Sequence, residues 1–206
     1  MGVDLRRRNS SLFSHSFTCM LLIRHGQSEF NVAFAATRID PGIRDPDLTA
    51  EGRRQAVAAA AELALLCSQG REIRRMISSP YTRALQTATI LAEALGIAEV
   101  TVDPLVRERA AFHCDVGAPP ALLKQRFPAY RFDHLDDPWW HDHIAHGTEE
   151  SEEALDRRVG AFRAAMARDP DWPHVVVVTH WGFIRAMTGG YRSANCEIIP
   201  VSLAPA

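Results

Sequence analysis

Four side chains of two types stand where they could do phosphoryl chemistry together: Arg24 and His25, then Arg83, then His180. A neutral imidazole is a competent nucleophile toward phosphorus. Guanidinium forks match phosphate oxygens bidentately. The same cations disfavour imidazolium, which lowers the histidine pKa and keeps a ring nitrogen free to attack. Two arginines grouped without an obvious acidic partner call for a dianionic ligand. Donors already aimed at the equatorial oxygens of the transition state are each typically worth about 3–4 kcal/mol. One more group is required, a proton donor for the leaving oxygen. Glu108 in Leu105-Val106-Arg107-Glu108-Arg109 is the candidate. Burial beside a phosphate raises its pKa and the flanking Arg107 and Arg109 lower it, and the sequence leaves that balance open.

These residues are far apart in the chain, so the fold must gather them. Met20-Leu21-Leu22-Ile23 is an unbroken apolar run ended by Arg24-His25-Gly26, the pattern of a strand covered on both faces. Thr49 is placed to cap a helix through about Ser68, with Ala56, Ala60, Leu63 and Cys67 at helical spacing. Ile73 to Ser78 reads as a second strand. Ser79-Pro80 then reads as a cap and first helical residue, followed by the stripe Ala84, Ala88, Leu91 and Leu95, which Gly96 closes. Val100 to Val102 is a short third strand. Glu149 to Arg168 is helical, Val175 to Val178 is a buried strand, and Cys196 to Leu203 is a last one.

Alternating strands and helices predict a three-layer α/β/α fold with a mainly parallel central sheet. Ligands of such sheets bind beyond the carboxyl ends of the strands. That edge receives Arg24 and His25 from the first strand, Ser78, Ser79 and Arg83 from the second, and Thr179 and His180 from the fourth.

Composition narrows the classes. A chain of 206 residues with 47% hydrophobic and 23% charged content suits one domain with a real core. A net charge of −2 gives no general attraction to nucleic acid or to an anionic membrane, so an anionic small substrate must be held by a local cluster. Lys124 is the only lysine among 23 basic residues, so an arginine is informative here only through its position. Cys19, Cys67, Cys114 and Cys196 form no close pair, which suits a reducing cytoplasm and suggests neither disulfides nor a zinc knuckle. No apolar run is long enough to span a bilayer. Residues 1–18 read as a floppy tail, or as sequence ahead of a true start near Met20, and residues 19–206 as the domain.

Residues 104–147 read as an irregular insertion over the active edge, rich in Pro, His, Asp and Trp. Its His134, His141, His143 and His146 match no regular metal-ligand spacing, and no metal or other cofactor is expected. Trp139-Trp140 fits a lid anchor and core packing equally well. A homodimer is left open.

The motif Leu22-Ile23-Arg24-His25-Gly26-Gln27-Ser28, with Asn31, resembles the signature of the phosphoglycerate mutase-like histidine phosphatases. At roughly 5% per residue type, R-H-G-x-S arises by chance in about one such chain in a thousand. The resemblance continues in order. It runs through Asp45-Pro46-Asp47-Leu48-Thr49 with Gly52, Gln55 and Ala56, then Ser78-Ser79-Pro80 with Arg83, Gln86, Thr87 and Ala88. Glu108, Glu150-Ser151 with Arg158, and the segment ending in His180 complete it. The resemblance implies that His25 is phosphorylated and that Arg24, Arg83 and His180 complete the phosphate pocket. It further implies that Asn31 helps to bind and that Glu108 acts as acid and then base.

Two departures are informative. Such proteins usually carry a small residue after the second histidine, where this chain has Trp181 at the expected substrate pocket. Glycolytic mutases follow the acid with Tyr-Gly and further basic residues, where this chain has Arg109-Ala110-Ala111-Phe112. The expectation is therefore a metal-independent phosphatase of a small phosphorylated metabolite. A mutase that returns the phosphoryl group to its substrate, and a phosphoprotein-binding regulatory module with weak activity, are the alternatives.

Overall fold

The computed structural model describes residues 18–203. The reading of residues 1–18 as a tail therefore falls, except for Thr18, outside the described residues.

Five strands, β1 (Met20–Arg24), β2 (Arg75–Ser78), β3 (Val100–Val102), β4 (Val175–Thr179) and β5 (Ile198–Val201), form one sheet in the order β3-β2-β4-β1-β5. β1, β2, β3 and β4 run parallel to one another, and β5 at the edge pairs antiparallel with β1. The pleat sorts the apolar runs into two cores. Leu21, Ile23, Met76, Val176 and Val178 face one cluster, which α2 (Ala50–Ser68) and α3 (Thr82–Leu95) cover. Met20, Leu22, Ile77, Val175 and Val177 face the other, under α6 (Glu152–Ala167) and α7 (Trp181–Met187). Both faces are buried, which is why β1 and β4 show no polar alternation. The three-layer arrangement with a mainly parallel sheet is the one expected from sequence.

The helix after β2 starts later than its sequence suggests. Tyr81, not Ser79, is the cap residue, and no side chain of its own caps α3. The buried carboxylate of Asp45 does that work from another loop, accepting from Thr82 N at 2.9 Å and from Thr82 Oγ1 at 2.6 Å. Ser79 is thereby freed for the site below.

α1 (Glu29–Thr37) carries no clear apolar stripe but has a capping box, in which Ser28 Oγ accepts from Asn31 N and Asn31 Oδ1 from Ser28 N. Segment 104–147 contains two short helices, α4 (Pro120–Arg126) and α5 (His143–His146), and its own apolar cluster around Tyr81, Leu85, Phe132 and Trp139. Trp139 is buried there, donating to Ala118 O at 2.9 Å and meeting Tyr81 edge-on at 4.8 Å. It is packing, not a lid anchor.

Candidate active site

The strand order places the ends of β1, β4 and β2 side by side, at the point where the chain passes from one face of the sheet to the other. His25 N donates to Thr179 O and Ser79 N to Val178 O, both across strand ends. His25 and His180 thus come together, their rings 5.0 Å apart.

His25 is 3% exposed. Its Nδ1 lies 2.7 Å from Gly26 O, an acceptor only, so Nδ1 carries the proton and Nε2 keeps its lone pair. Gly26 is required: a Cβ there would stand 2.4 Å from Gly52 O, where the loop after β1 crosses the start of α2. Burial, followed by the charges of Arg83 and Arg24, holds the His25 pKa well below the ordinary imidazole value.

Arg24 donates through Nη1 to Ser193 O at 2.9 Å, while its buried Nε has no hydrogen-bond partner among the described residues. Arg83 is 3% exposed and lies in the first turn of α3. Its Nη1 donates to Cys114 O at 2.7 Å and its Nη2 to Asp115 Oδ1 at 3.1 Å. That ion pair corrects the expectation of arginines without an acidic partner. Asp115 lies in the irregular segment, anchored by Ala111 N and Phe112 N on Oδ2, and no pattern in the sequence marks it.

Glu108 is brought to the same cavity. Its Oε1 accepts from Gly182 N at 2.8 Å and from Arg109 N at 2.9 Å. Burial, with the like charge of Asp115, raises its pKa above the usual carboxyl value. The flanking arginines do not prevent this because each is engaged elsewhere, Arg107 with Glu150 and Arg109 with Glu149 and Glu152. A Cβ at position 182 would stand 2.4 Å from Glu108 Oε1. A glycine two residues after the second histidine thus leaves room for the Glu108 carboxyl, a need visible only once the two loops meet.

His180 is fully buried, its Nε2 2.8 Å from Ser79 Oγ and its Nδ1 without a hydrogen-bond partner among the described residues. Tyr81 supports it edge-on at 5.2 Å and also lies under the Arg83 guanidinium at 4.4 Å. Asn31 lines the cavity, but its Oδ1 is already used in the α1 cap and by Asn195 Nδ2 at 3.4 Å. Asn195 also donates to His25 O at 2.9 Å, a positioning contact that sequence reading missed for lack of any pattern near it. Trp181 lines the mouth, 36% exposed, with Arg185 over its ring at 5.7 Å.

The cavity bounded by these residues measures about 630 Å³, in the range of small-ligand sites. Arg24, His25, Asn31, Arg83, Glu108 and Trp181 reach its wall, whereas His180, its ring 5.0 Å from that of His25, does not. Among the described residues no group of three or more His, Cys, Asp or Glu side chains is placed to hold a metal ion. No helix among them is long and apolar enough to cross a membrane.

Residues 20–198 match the family model of the histidine phosphatase superfamily (branch 1). The chain is 33% identical over 196 residues to a glucosyl-3-phosphoglycerate phosphatase of Mycolicibacterium vanbaalenii, covering 88% of this chain and 77% of that one. It is 36% identical over 105 residues to a 2,3-bisphosphoglycerate-dependent phosphoglycerate mutase of Methylobacterium radiotolerans, covering 51% of this chain and 45% of that one. A solved mycobacterial glucosyl-3-phosphoglycerate phosphatase in complex with VO3 superposes with a TM-score of 0.59 at 25% identity, over 88% of this chain and 89% of that one.

Proposed function

The chain belongs to the histidine phosphatase superfamily and is a phosphomonoesterase, and on that premise we propose that it hydrolyses a small phosphate ester through a phosphohistidine on His25, without a metal. The observation that carries this reading is the His25 ring itself. Its Nδ1 proton is spent on Gly26 O, so that the lone pair of Nε2 remains beside Arg83 and Arg24.

In the first step His25 Nε2 forms a bond to phosphorus as the bond from phosphorus to the ester oxygen breaks. Glu108, whose protonated form burial favours, gives its proton to the departing oxygen. Arg24 and Arg83 receive the charge that spreads over the equatorial oxygens. In the second step Glu108, now a carboxylate, takes a proton from water. The water oxygen bonds to phosphorus, the bond from phosphorus to Nε2 breaks, and inorganic phosphate leaves. Asn31 and Trp181 border the leaving group, and His180 backs the nucleophile.

Kinship with the phosphatase spans 88% of the chain, and kinship with two mutases spans 51% and 77% at weaker similarity overall, which favours hydrolysis over transfer back to the substrate. Glucosyl-3-phosphoglycerate, the ester in the relative's name, is the first substrate to try. The test is a panel of phosphate esters with wild type and His25→Asn. Stoichiometric inorganic phosphate that persists with chelator, and an acid-labile phosphoryl label lost in the variant, are the expected results. Isomerised ester without phosphate release would make the enzyme a mutase. Absence of turnover with retained phosphopeptide binding would make it a regulatory module.

A further inference from the structure

A phosphoryl group at His25 fills one corner of the cavity, and the remainder is built for something else. Phe30 and Phe34 on α1 stack at 5.3 Å and 12°, and Phe112 tilts against both, 5.4 Å from Phe30 and 5.1 Å from Phe34. All three line the cavity, yet Phe112 remains 37% exposed. An aromatic cluster that stays open to the cavity gains from a ligand face that covers it.

Beside this wall stands a cation. Arg38 ends α1 in the left-handed conformation (φ 60°), its N–H donating to Phe34 O at 2.8 Å, and its guanidinium lies 5.9 Å from the Phe34 ring centre. The two other arginines of the mouth, Arg109 and Arg185, share the carboxylate of Glu152. Arg38 forms no ion pair with a carboxylate among the described residues. The nearby carboxylate of Asp40 is occupied, by His113 N at 2.9 Å and His113 Nδ1 at 3.0 Å on one oxygen and by Gly42 N at 2.9 Å on the other. That contact also ties the Arg38 loop to the Phe112 loop, so wall and cation are held as one unit.

We propose that Phe34, Phe112 and Arg38 form the leaving-group seat, which takes an alcohol with a flat ring face for the phenylalanines and a carboxylate for Arg38. The proposal rests on the phosphatase reading and adds to it the class of ester. Arg24 and Arg83 are committed to the phosphoryl oxygens, so a further cation at the mouth suits a second anionic group. Planar, weakly hydrated guanidinium next to a ring suits a carboxylate better than a lone ammonium would. Binding energy collected at this distance from phosphorus can be used to fix the ester in line with Nε2.

Four esters separate the two features. Glucosyl-3-phosphoglycerate has ring and carboxylate, p-nitrophenyl phosphate has a ring only, 3-phosphoglycerate has a carboxylate only, and glycerol 3-phosphate has neither. Phe112→Ala should lower the ratio of kcat/KM for ring esters to ring-free esters about tenfold, and Phe112→Leu should lower it less. Arg38→Gln should lower the ratio for carboxylate-bearing to carboxylate-free esters about fivefold. Thermal melts of each variant separate lost recognition from lost folding, and the ratio within one variant is insensitive to its folded fraction. Release from these esters with unchanged ratios overturns the seat and leaves the phosphatase reading standing. No His25-dependent release from any ester overturns both.

Discussion

Asp115 Oδ1 receives a hydrogen bond from Arg83 Nη2 at 3.1 Å, with the two side chains 1% and 3% exposed. The pair makes the site less cationic than its arginines suggest, and it fixes the orientation of the Arg83 fork. Asp115 also raises the pKa of Glu108 through like charge. One carboxylate thus orients Arg83 and favours the protonated form of Glu108.

Asp115→Asn should therefore change both functions. Leaving Arg83 buried without its countercharge costs about 3–5 kcal/mol of stability, part of which inorganic phosphate should restore on binding. Loss of the negative charge lowers the Glu108 pKa, and the unopposed Arg83 lowers that of His25 further. Both limbs of the kcat/KM profile should move toward lower pH. Urea titrations with and without phosphate, together with pH–rate profiles, check this. An alkaline limb that stays in place would remove Asp115 from any role in the acid.

Gly182→Ala places a methyl group 2.4 Å from Glu108 Oε1 and must push the carboxyl aside. The backbone bond from Gly182 N to that oxygen is lost with it. General acid catalysis typically contributes about 10²–10⁴-fold. We expect kcat for an alkyl phosphate to fall at least about a hundredfold. With p-nitrophenyl phosphate, whose leaving group hardly needs a proton, the loss should be about tenfold or less. Equal losses on both esters would mean that the methyl group disturbs the nucleophile instead.

How much of this was legible beforehand follows from how each residue is held. Arg24, His25 and His180 lie at ends of strands whose apolar runs are unmistakable, so the sheet alone brings them together. Arg83 follows by helical spacing, although the start of its helix is misread because Asp45, 37 residues away, provides the cap. Asp115, Asn195 and Gly182 act through loop–loop contacts, which leave no periodicity. Phe30 and Phe34 share a face of α1, whose weak amphipathicity hides the helix that presents them. Trp139 packs behind Tyr81, a relation that local composition cannot distinguish from a lid.

The pH dependence of the wild type has a definite sign at each limb. In the proposed mechanism turnover requires neutral His25, whose pKa is held well below the ordinary value, so the acid limb should lie well below pH 6.5. It also requires protonated Glu108, whose pKa is raised, so rate declines as pH rises through that value. The kcat/KM profile should therefore show an acid limb set by His25 and an alkaline limb set by Glu108. In Glu108→Gln the alkaline limb should vanish and the rate for alkyl esters should fall by about 10²–10⁴. A limb that persists in this variant belongs to another group.

Stability should depend on the same imidazoles. His25 and His180 both have folded-state pKa values depressed below that of the unfolded chain. Above the unfolded value neither group affects the balance. As pH falls below it, the unfolded chain binds protons that the folded protein does not, and stability declines until the folded values are reached. Each group adds about 1.4 kcal/mol per pH unit to that slope, so the pair adds about 2.7. Denaturant titrations between about pH 6 and 5 should show this decline, and His25→Asn should reduce it by half. An unchanged slope in that variant would mean that His25 takes up its proton in the fold.

Arg158 holds the backbone that leads into Glu108. It donates to the carbonyls of Leu105 at 2.7 Å and Arg107 at 2.8 Å, and to both oxygens of Glu150 at 3.1 and 2.8 Å. A further contact at 3.3 Å reaches Glu108 O. One planar fork thus shapes the backbone turn that aims Glu108, and an ammonium cannot satisfy these acceptors together. Arg158→Lys should lower stability by about 3–5 kcal/mol, as expected when a buried ionic network is broken. In the protein that remains folded, kcat for alkyl phosphates should fall more than kcat for p-nitrophenyl phosphate, with KM little changed, because the acid is loosened while Arg24 and Arg83 still bind phosphate. A rise in KM with kcat unaltered would place the function of Arg158 in the cavity wall instead of behind the acid.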